Sequence, residues 1–276
     1  MAYQDIQYDV ADGVCTIMLN RPQTLNAWTL KMDQEVRHSM VAAEHDPNVR
    51  VILFTGSGRG FCSGADMSLL SAVAGGGNIA ADEDFTAAGQ NVEIPPARED
   101  FRQQYSYFPA LSKPVIGAVN GAAAGLGFVL MLYCDIRLLS DGAKLTTTFS
   151  RRGLIAEYGL AWMLPRLIGL SNAMELMLSS RTILADEAHR LGLVHKVFPA
   201  DKFVEEAKAY ALELATKVSP RSVRVIKRMA YESQFQSLKD ALDMALEEMM
   251  LSIASDDFRE GVAHYFEKRE PKFTGN

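Results

Sequence analysis

Apolar positions in the first half of the chain follow two different periods. The segments "IQYDV" and "VCTIMLN" alternate apolar with polar residues around Ala11, Asp12 and Gly13, which predicts an N-terminal hairpin closed by those three turn residues. Leu30, Met32, Val36, Met40 and Val41 then recur at roughly helical spacing, with Thr29 placed to cap the helix they define. Further strands are predicted at "VRVILFTG", "PVIGAVN" and "CDIRLLS", and the second of these leads into "GAAAGLGFVLMLY", where a buried helix opens at Gly125-Leu126-Gly127. Strands and helices in alternation imply an α/β protein with a largely parallel sheet and crossover helices.

From Ala161 onward the helical period dominates. "ADKFVEEAKAYALELATKV", "RSVRVIKRMAYES" and "SLKDALDMALEEMMLSIA" are amphipathic, and strand candidates shrink to "RTIL" and "LVHKVF". The chain therefore divides into a core domain over residues 1–200 and a helical region over 201–276. Within the first part, "AVAGGGNIAADEDFTAAGQNVEIPPARED" opposes regular structure through its three glycines, clustered acids and paired prolines. It reads as a mobile loop or partly helical lid.

Composition narrows the function classes. The 276 residues are 48% hydrophobic and 22% charged, and no apolar run approaches the roughly 20 residues of a membrane span. A net charge of -6 offers no broad basic field for nucleic acid. The first twenty residues carry three aspartates and no basic start, unlike a secretory signal, so a cytoplasmic protein is expected. Cys15, Cys62 and Cys134 form no CxxC pair, and the five histidines have no metal-ligand spacing, so no metal site is expected.

Three stretches carry candidate chemistry. In "RRGLIAEYGLAW" the only carboxylate, Glu157, stands among apolar residues, where lost hydration disfavours its charged form and makes it a better base. In "VILFTGSGRGFCSGADM" the glycines fail the dinucleotide-binding fingerprint because Phe61 occupies the third glycine position. There Gly64 instead frees the Ala65 N–H to point into a cavity. In "NGAAAGLGFVL" the small residues allow a close approach, and Gly125 and Leu126 open a helix whose free N–H groups suit a developing anion. Two glycine-permitted donors, each following a strand, are what an oxyanion hole needs.

With "VCTIMLNRPQTLNAW", "FCSGADM", "KPVIGAVNGAAAGLGFVLMLYCDIRL" and "DDFREGVAHYFEKREPKF", these stretches resemble the enoyl-CoA hydratase/isomerase, or crotonase, family along nearly the whole chain. The resemblance implies a crotonase fold, with repeated ββα units in a spiral core and a C-terminal helical region that assembles trimers or pairs of trimers. It implies an acyl-CoA thioester substrate, with coenzyme A entering as part of that substrate and no separate cofactor. The donors fall on Ala65 and Leu126. Coenzyme A would lie along Arg21, Leu25 and Ala27, the backbone of Gly64, Ala65, Asp66 and Met67, and Gly125. Phe266 and Lys268, which a neighbouring subunit could supply, would complete that site.

The two glutamates of the family's best-known hydratases fall here on Val129 and Phe149, which cannot move a proton. Glu157 instead matches the acid of the Δ3-Δ2-enoyl-CoA isomerases, twelve residues before Gly169. The resemblance therefore implies double-bond isomerisation with Glu157 as acid/base. The alternatives are an enoyl-CoA hydratase of fatty-acid or aromatic acid degradation, and a catalytically inactive acyl-CoA-binding scaffold.

Overall fold

The hairpin closes more tightly than its sequence suggests. In the computed structural model, which describes residues 3–75 and 97–276, β1 (Ile6–Ala11) pairs antiparallel with β2 (Val14–Leu19) from Ile6↔Leu19 to Ala11↔Val14. Ala11 is thus a paired strand residue, and Asp12 and Gly13 alone make the turn. Thr29 caps α1 (Leu30–His45), its hydroxyl accepting from the Met32 N–H at 3.0 Å. Met32, Val36 and Met40 are fully buried along that helix, as their spacing requires.

Three strand–strand–helix units follow. They are β3 (Val51–Gly56), β4 (Gly60–Cys62) and α2 (Met67–Ala74); β5 (Val115–Val119), β6 (Ala122–Ala124) and α3 (Leu126–Tyr133); and β7 (Ile136–Ser140), β8 (Lys144–Thr146) and α4 (Leu160–Ile168). The first strand of each unit joins a six-stranded sheet in the order β1-β2-β3-β5-β7-β10, where β10 is Lys196–Phe198. The second strand joins a smaller sheet, β4-β6-β8-β9, where β9 is Ile183–Leu184. Apart from β1–β2 and β8–β9, all paired neighbours are parallel. The expected repeated ββα spiral is present. Its second strands have three residues each, too few to show a period, and β6 lies in the run of small residues before Gly125 that reads as a turn from the sequence.

Both faces of the large sheet are covered, which is why β3 reads as a continuous apolar run rather than an alternating one. Ile52 and Phe54 face the main core, together with Phe61, Phe108 and Phe128. Val51 and Leu53 face the other way, with Ile116 and Leu138, onto α7 (Phe203–Lys217) through Phe203, Ala207, Ala211 and Ala215. The alanines repeat every fourth residue and let that helix lie close to the sheet.

Between α4 and β10 come α5 (Leu170–Ser179) and α6 (Ala185–Arg190). The chain ends in α8 (Pro220–Glu232), α9 (Leu238–Ile253) and α10 (Asp256–Glu267). Among the described residues no helix is long and apolar enough to cross a membrane. Of the segment expected to be a loop or lid, residues 76–96 lie outside those described.

Candidate active site

Parallel pairing of β4 with β6 sets two turns side by side. Gly60 pairs with Ala122 and Cys62 with Ala123, so Gly64-Ala65 and Gly125-Leu126 both follow the C-terminal ends of adjacent strands. Gly64 has φ +97°, and a Cβ there would lie 2.9 Å from the Ala124 carbonyl oxygen and 3.7 Å from the Leu126 nitrogen. Only glycine fits that spot without displacing a donor turn. Gly127 is equally constrained, since a Cβ on it would fall 2.1 Å from the Cys62 carbonyl oxygen.

The two N–H groups are left open for different reasons. Trp28 forms a parallel bridge with Ala65, donating to the Gly64 carbonyl at 2.8 Å and accepting from the Asp66 N–H at 2.9 Å. In such a ladder the N–H of Ala65 points away from Trp28. Leu126 is the first residue of α3, where N–H groups have no intrahelical acceptor. Neither N–H has a hydrogen-bond partner among the described residues.

Glu157 sits in the turn before α4. Its backbone N–H donates to the Ile155 carbonyl at 2.9 Å, and its carbonyl accepts from the Leu160 N–H at 3.0 Å. The carboxylate is half-buried, has no hydrogen-bond or ion-pair partner among the described residues, and burial raises its pKa above the ordinary glutamate value. The turn is tied to α3, because the Tyr133 hydroxyl at the end of that helix donates to the Tyr158 carbonyl at 2.8 Å. One helix thus carries the Leu126 N–H at its start and holds the Glu157 turn at its end. Val129 and Phe149 are both packed into the core.

The residues expected at coenzyme A fall into two groups. Arg21 Nη1 donates to the Ala27 carbonyl at 2.6 Å and to Asp66 at 2.8 Å, joining the 21–27 segment to the start of α2. Asp66 also caps that helix, accepting from the Ser68 N–H at 3.0 Å, and these donors hold its carboxyl below the ordinary value. Leu25 adopts a left-handed conformation at φ +53°, and Met67 is exposed beside them. Phe266 is exposed at the end of α10 and Lys268 is that helix's C-cap. No hydrogen bond or ion pair among the described residues joins either of these two to the first group.

Sequence reasoning missed a polar cluster behind Trp28. The Trp28 indole N–H donates to Asp33 at 3.2 Å, and the Asp33 carboxyl is 5% exposed. Burial pushes its pKa up to about 6, opposed by Trp28, Arg37, Gln104 and Tyr105. Tyr105 meets Trp28 edge-on at 6.1 Å and Tyr158 at 4.9 Å, so the cluster bridges the two parts of the site. A signal did exist, because Asp33 falls on the same helical stripe as Val36 and Met40.

Next to this cluster is a cavity of about 400 Å³ whose walls include Tyr105, Tyr133, Tyr158 and Gly159. Glu157, Ala65 and Leu126 are not among its walls; the cavity adjoins the Glu157 turn rather than enclosing the three. Among the described residues no group of three or more His, Cys, Asp or Glu side chains is arranged to hold a metal ion.

Residues 9–276 match the family model described as enoyl-CoA hydratase/isomerase. A 1,2-epoxyphenylacetyl-CoA isomerase of Escherichia coli is 34% identical, over 96% of this chain and 97% of its own. A probable enoyl-CoA hydratase of Rhodobacter capsulatus is 34% identical over the whole of both chains. The crystal structure of a putative enoyl-CoA hydratase from Streptomyces coelicolor superposes with a TM-score of 0.88 at 29% identity, covering 100% of this chain and 96% of that one.

Proposed function

The chain belongs to the enoyl-CoA hydratase/isomerase family, and from that premise we propose that it shifts the double bond of an acyl-CoA thioester with Glu157 as its single proton carrier. Glu157 removes a proton from C2 of a 3-enoyl thioester. The electron pair of that C–H bond delocalises onto the thioester oxygen, giving a dienolate that the N–H groups of Ala65 and Leu126 stabilise. The Glu157 carboxyl, which exchanges with solvent, then delivers a proton at C4 and gives the 2-enoyl product. Losing one such donor typically costs roughly 3 to 4 kcal/mol. The observation that carries this reading is the pair of adjacent, unpartnered N–H groups together with an unpaired, half-buried carboxylate whose pKa is raised.

Coenzyme A binds along Arg21, Leu25 and Ala27, past Gly64–Met67 and Gly125, with Phe266 and Lys268 supplied by a neighbouring subunit. That arrangement makes the protein a homotrimer or a pair of trimers, assembled through residues 201–276 and working in the cytoplasm. The apolar side chains exposed on α9 support it. Hydration of a 2-enoyl thioester is the second reading, favoured by the relative that bears a hydratase name. The apolar Val129 and Phe149 weigh against its two-carboxylate form.

Incubation of the protein with 2-enoyl-CoA and 3-enoyl-CoA thioesters in heavy water, followed by mass spectrometry, separates the readings. Deuterium incorporation with double-bond migration is expected, and Glu157→Gln should lower kcat/KM by about 10²- to 10⁴-fold. A gain of one water on the 2-enoyl substrate would favour hydration. Full turnover by Glu157→Gln would overturn the acid/base assignment, and no reaction of any thioester would leave the scaffold reading.

A further inference from the structure

We propose that the acyl group taken by this site carries a planar ring, aromatic or similarly flat, seated in the cavity beside the Glu157 turn. This rests on the acyl-thioester reading above and adds the substrate class to it. Among the described residues that line the cavity, six of twelve are aromatic, namely Phe101, Tyr105, Tyr133, Tyr158, Trp162 and Phe235, and none of those described is Leu, Ile or Val. A slot for an extended hydrocarbon chain needs only apolar area, which branched aliphatic side chains supply. Aromatic faces and edges add a directional preference, because the negative face of one ring attracts the positive edge of another.

The walls are also held in place. Trp162 and Phe235 stack with centroids 5.6 Å apart and planes 13° from parallel, and Phe101 meets Phe235 edge-on at 5.8 Å. Two guanidinium groups lie over these rings, Arg166 over Trp162 at 3.8 Å and Arg98 over Phe235 at 4.2 Å. Tyr105 packs edge-on against both Trp28 and Tyr158. Rings packed against one another give these walls a fixed arrangement, suited to a rigid ring rather than to chains of varying length. The cavity's volume of about 400 Å³ lies within the range of small-ligand pockets. Tyr158 and Gly159 line the cavity and directly succeed Glu157, so the cavity adjoins the turn that carries the proposed proton carrier.

The test compares two saturated, unreactive thioesters of equal acyl carbon count, 4-phenylbutanoyl-CoA and decanoyl-CoA, with free coenzyme A as reference, by isothermal titration of the full chain. The phenyl compound should bind about tenfold more tightly than the linear one, the order that one or two ring contacts supply. Trp162→Leu and Phe235→Leu, each checked for native circular dichroism, should each reduce that preference to about twofold or less. Equal or tighter binding of decanoyl-CoA, no gain of either thioester over free coenzyme A, or an undiminished preference in both variants would overturn the proposal. No proton moves in this measurement, so its failure leaves the Glu157 assignment standing. Failure of Glu157→Gln to lower turnover would likewise leave the ring preference standing.

Discussion

Asp33 and Glu157 are both carboxylates deprived of water, and the sequence exposes them unequally. Glu157 is visible because it stands in a largely apolar run, whereas Asp33 lies between Met32 and Gln34 and shows only through its place on the stripe of Val36 and Met40. Burial raises the Asp33 pKa to about 6, against roughly 3.9 in an unfolded chain. Between those values the folded protein holds a proton that the unfolded chain has released. Its contribution to stability is therefore fully present below about pH 4 and is lost as pH rises through about 6. Asp33→Asn cannot ionise, so in urea melts at pH 5 and pH 8 its stability relative to the parent should rise toward pH 8, by about 1.4 kcal/mol. Parallel pH dependence of the two proteins would show that Asp33 is not the titrating group. For Glu157 the sign bears on rate: the raised pKa moves the acid limb of kcat/KM above that of an ordinary glutamate, and this limb should vanish in Glu157→Gln.

Helix α3 links the two halves of the site. Its first N–H is one proposed donor, and its last residue, Tyr133, holds the Tyr158 carbonyl beside Glu157. Tyr133→Phe keeps the ring and removes this one hydrogen bond, which should cost about 1 kcal/mol in stability. The larger effect should be on turnover: a kcat loss of about tenfold with little change in KM is expected, because the base shifts while coenzyme A still binds. A drop in KM affinity alone would contradict that coupling. At the neighbouring turn, Gly64→Ala forces a Cβ against the Ala124 carbonyl at φ +97°. Strain of about 1 to 3 kcal/mol should appear in thermal melts, together with lost activity as the Ala65 donor is displaced. The hairpin, α1 with its Thr29 cap and the apolar strands of the large sheet were legible from spacing. In the small sheet only β9, within "RTIL", was legible, since "GFC", "AAA" and "KLT" are too short to carry a period and are strands only because neighbours pair with them.

At the scale of the whole molecule, the C-terminal helices leave a run of apolar side chains uncovered. On α9, Leu242 is 60% and Leu246 59% exposed, with Leu238, Met249, Met250 and Ile253 also open to solvent. If this face joins subunits, the protein should sediment as three or six chains of 30.4 kDa. Leu242→Glu combined with Leu246→Glu should then yield monomers that bind coenzyme A more weakly, for want of a neighbour's Phe266 and Lys268. Sedimentation of the parent protein as a monomer would refute the assembly. The sequence by itself determined what depends on residues a few positions apart: the alternation of strand and helix, the cap, the apolar stripes and the isolation of Glu157. Only the tertiary structure decided which distant residues meet. Ala65 and Leu126 become neighbours through the register of β4 on β6, Tyr133 reaches the Tyr158 carbonyl from the end of α3, and rings from distant stretches of the chain line one cavity. Such contacts follow from long-range pairing and close packing, which no local window of sequence contains.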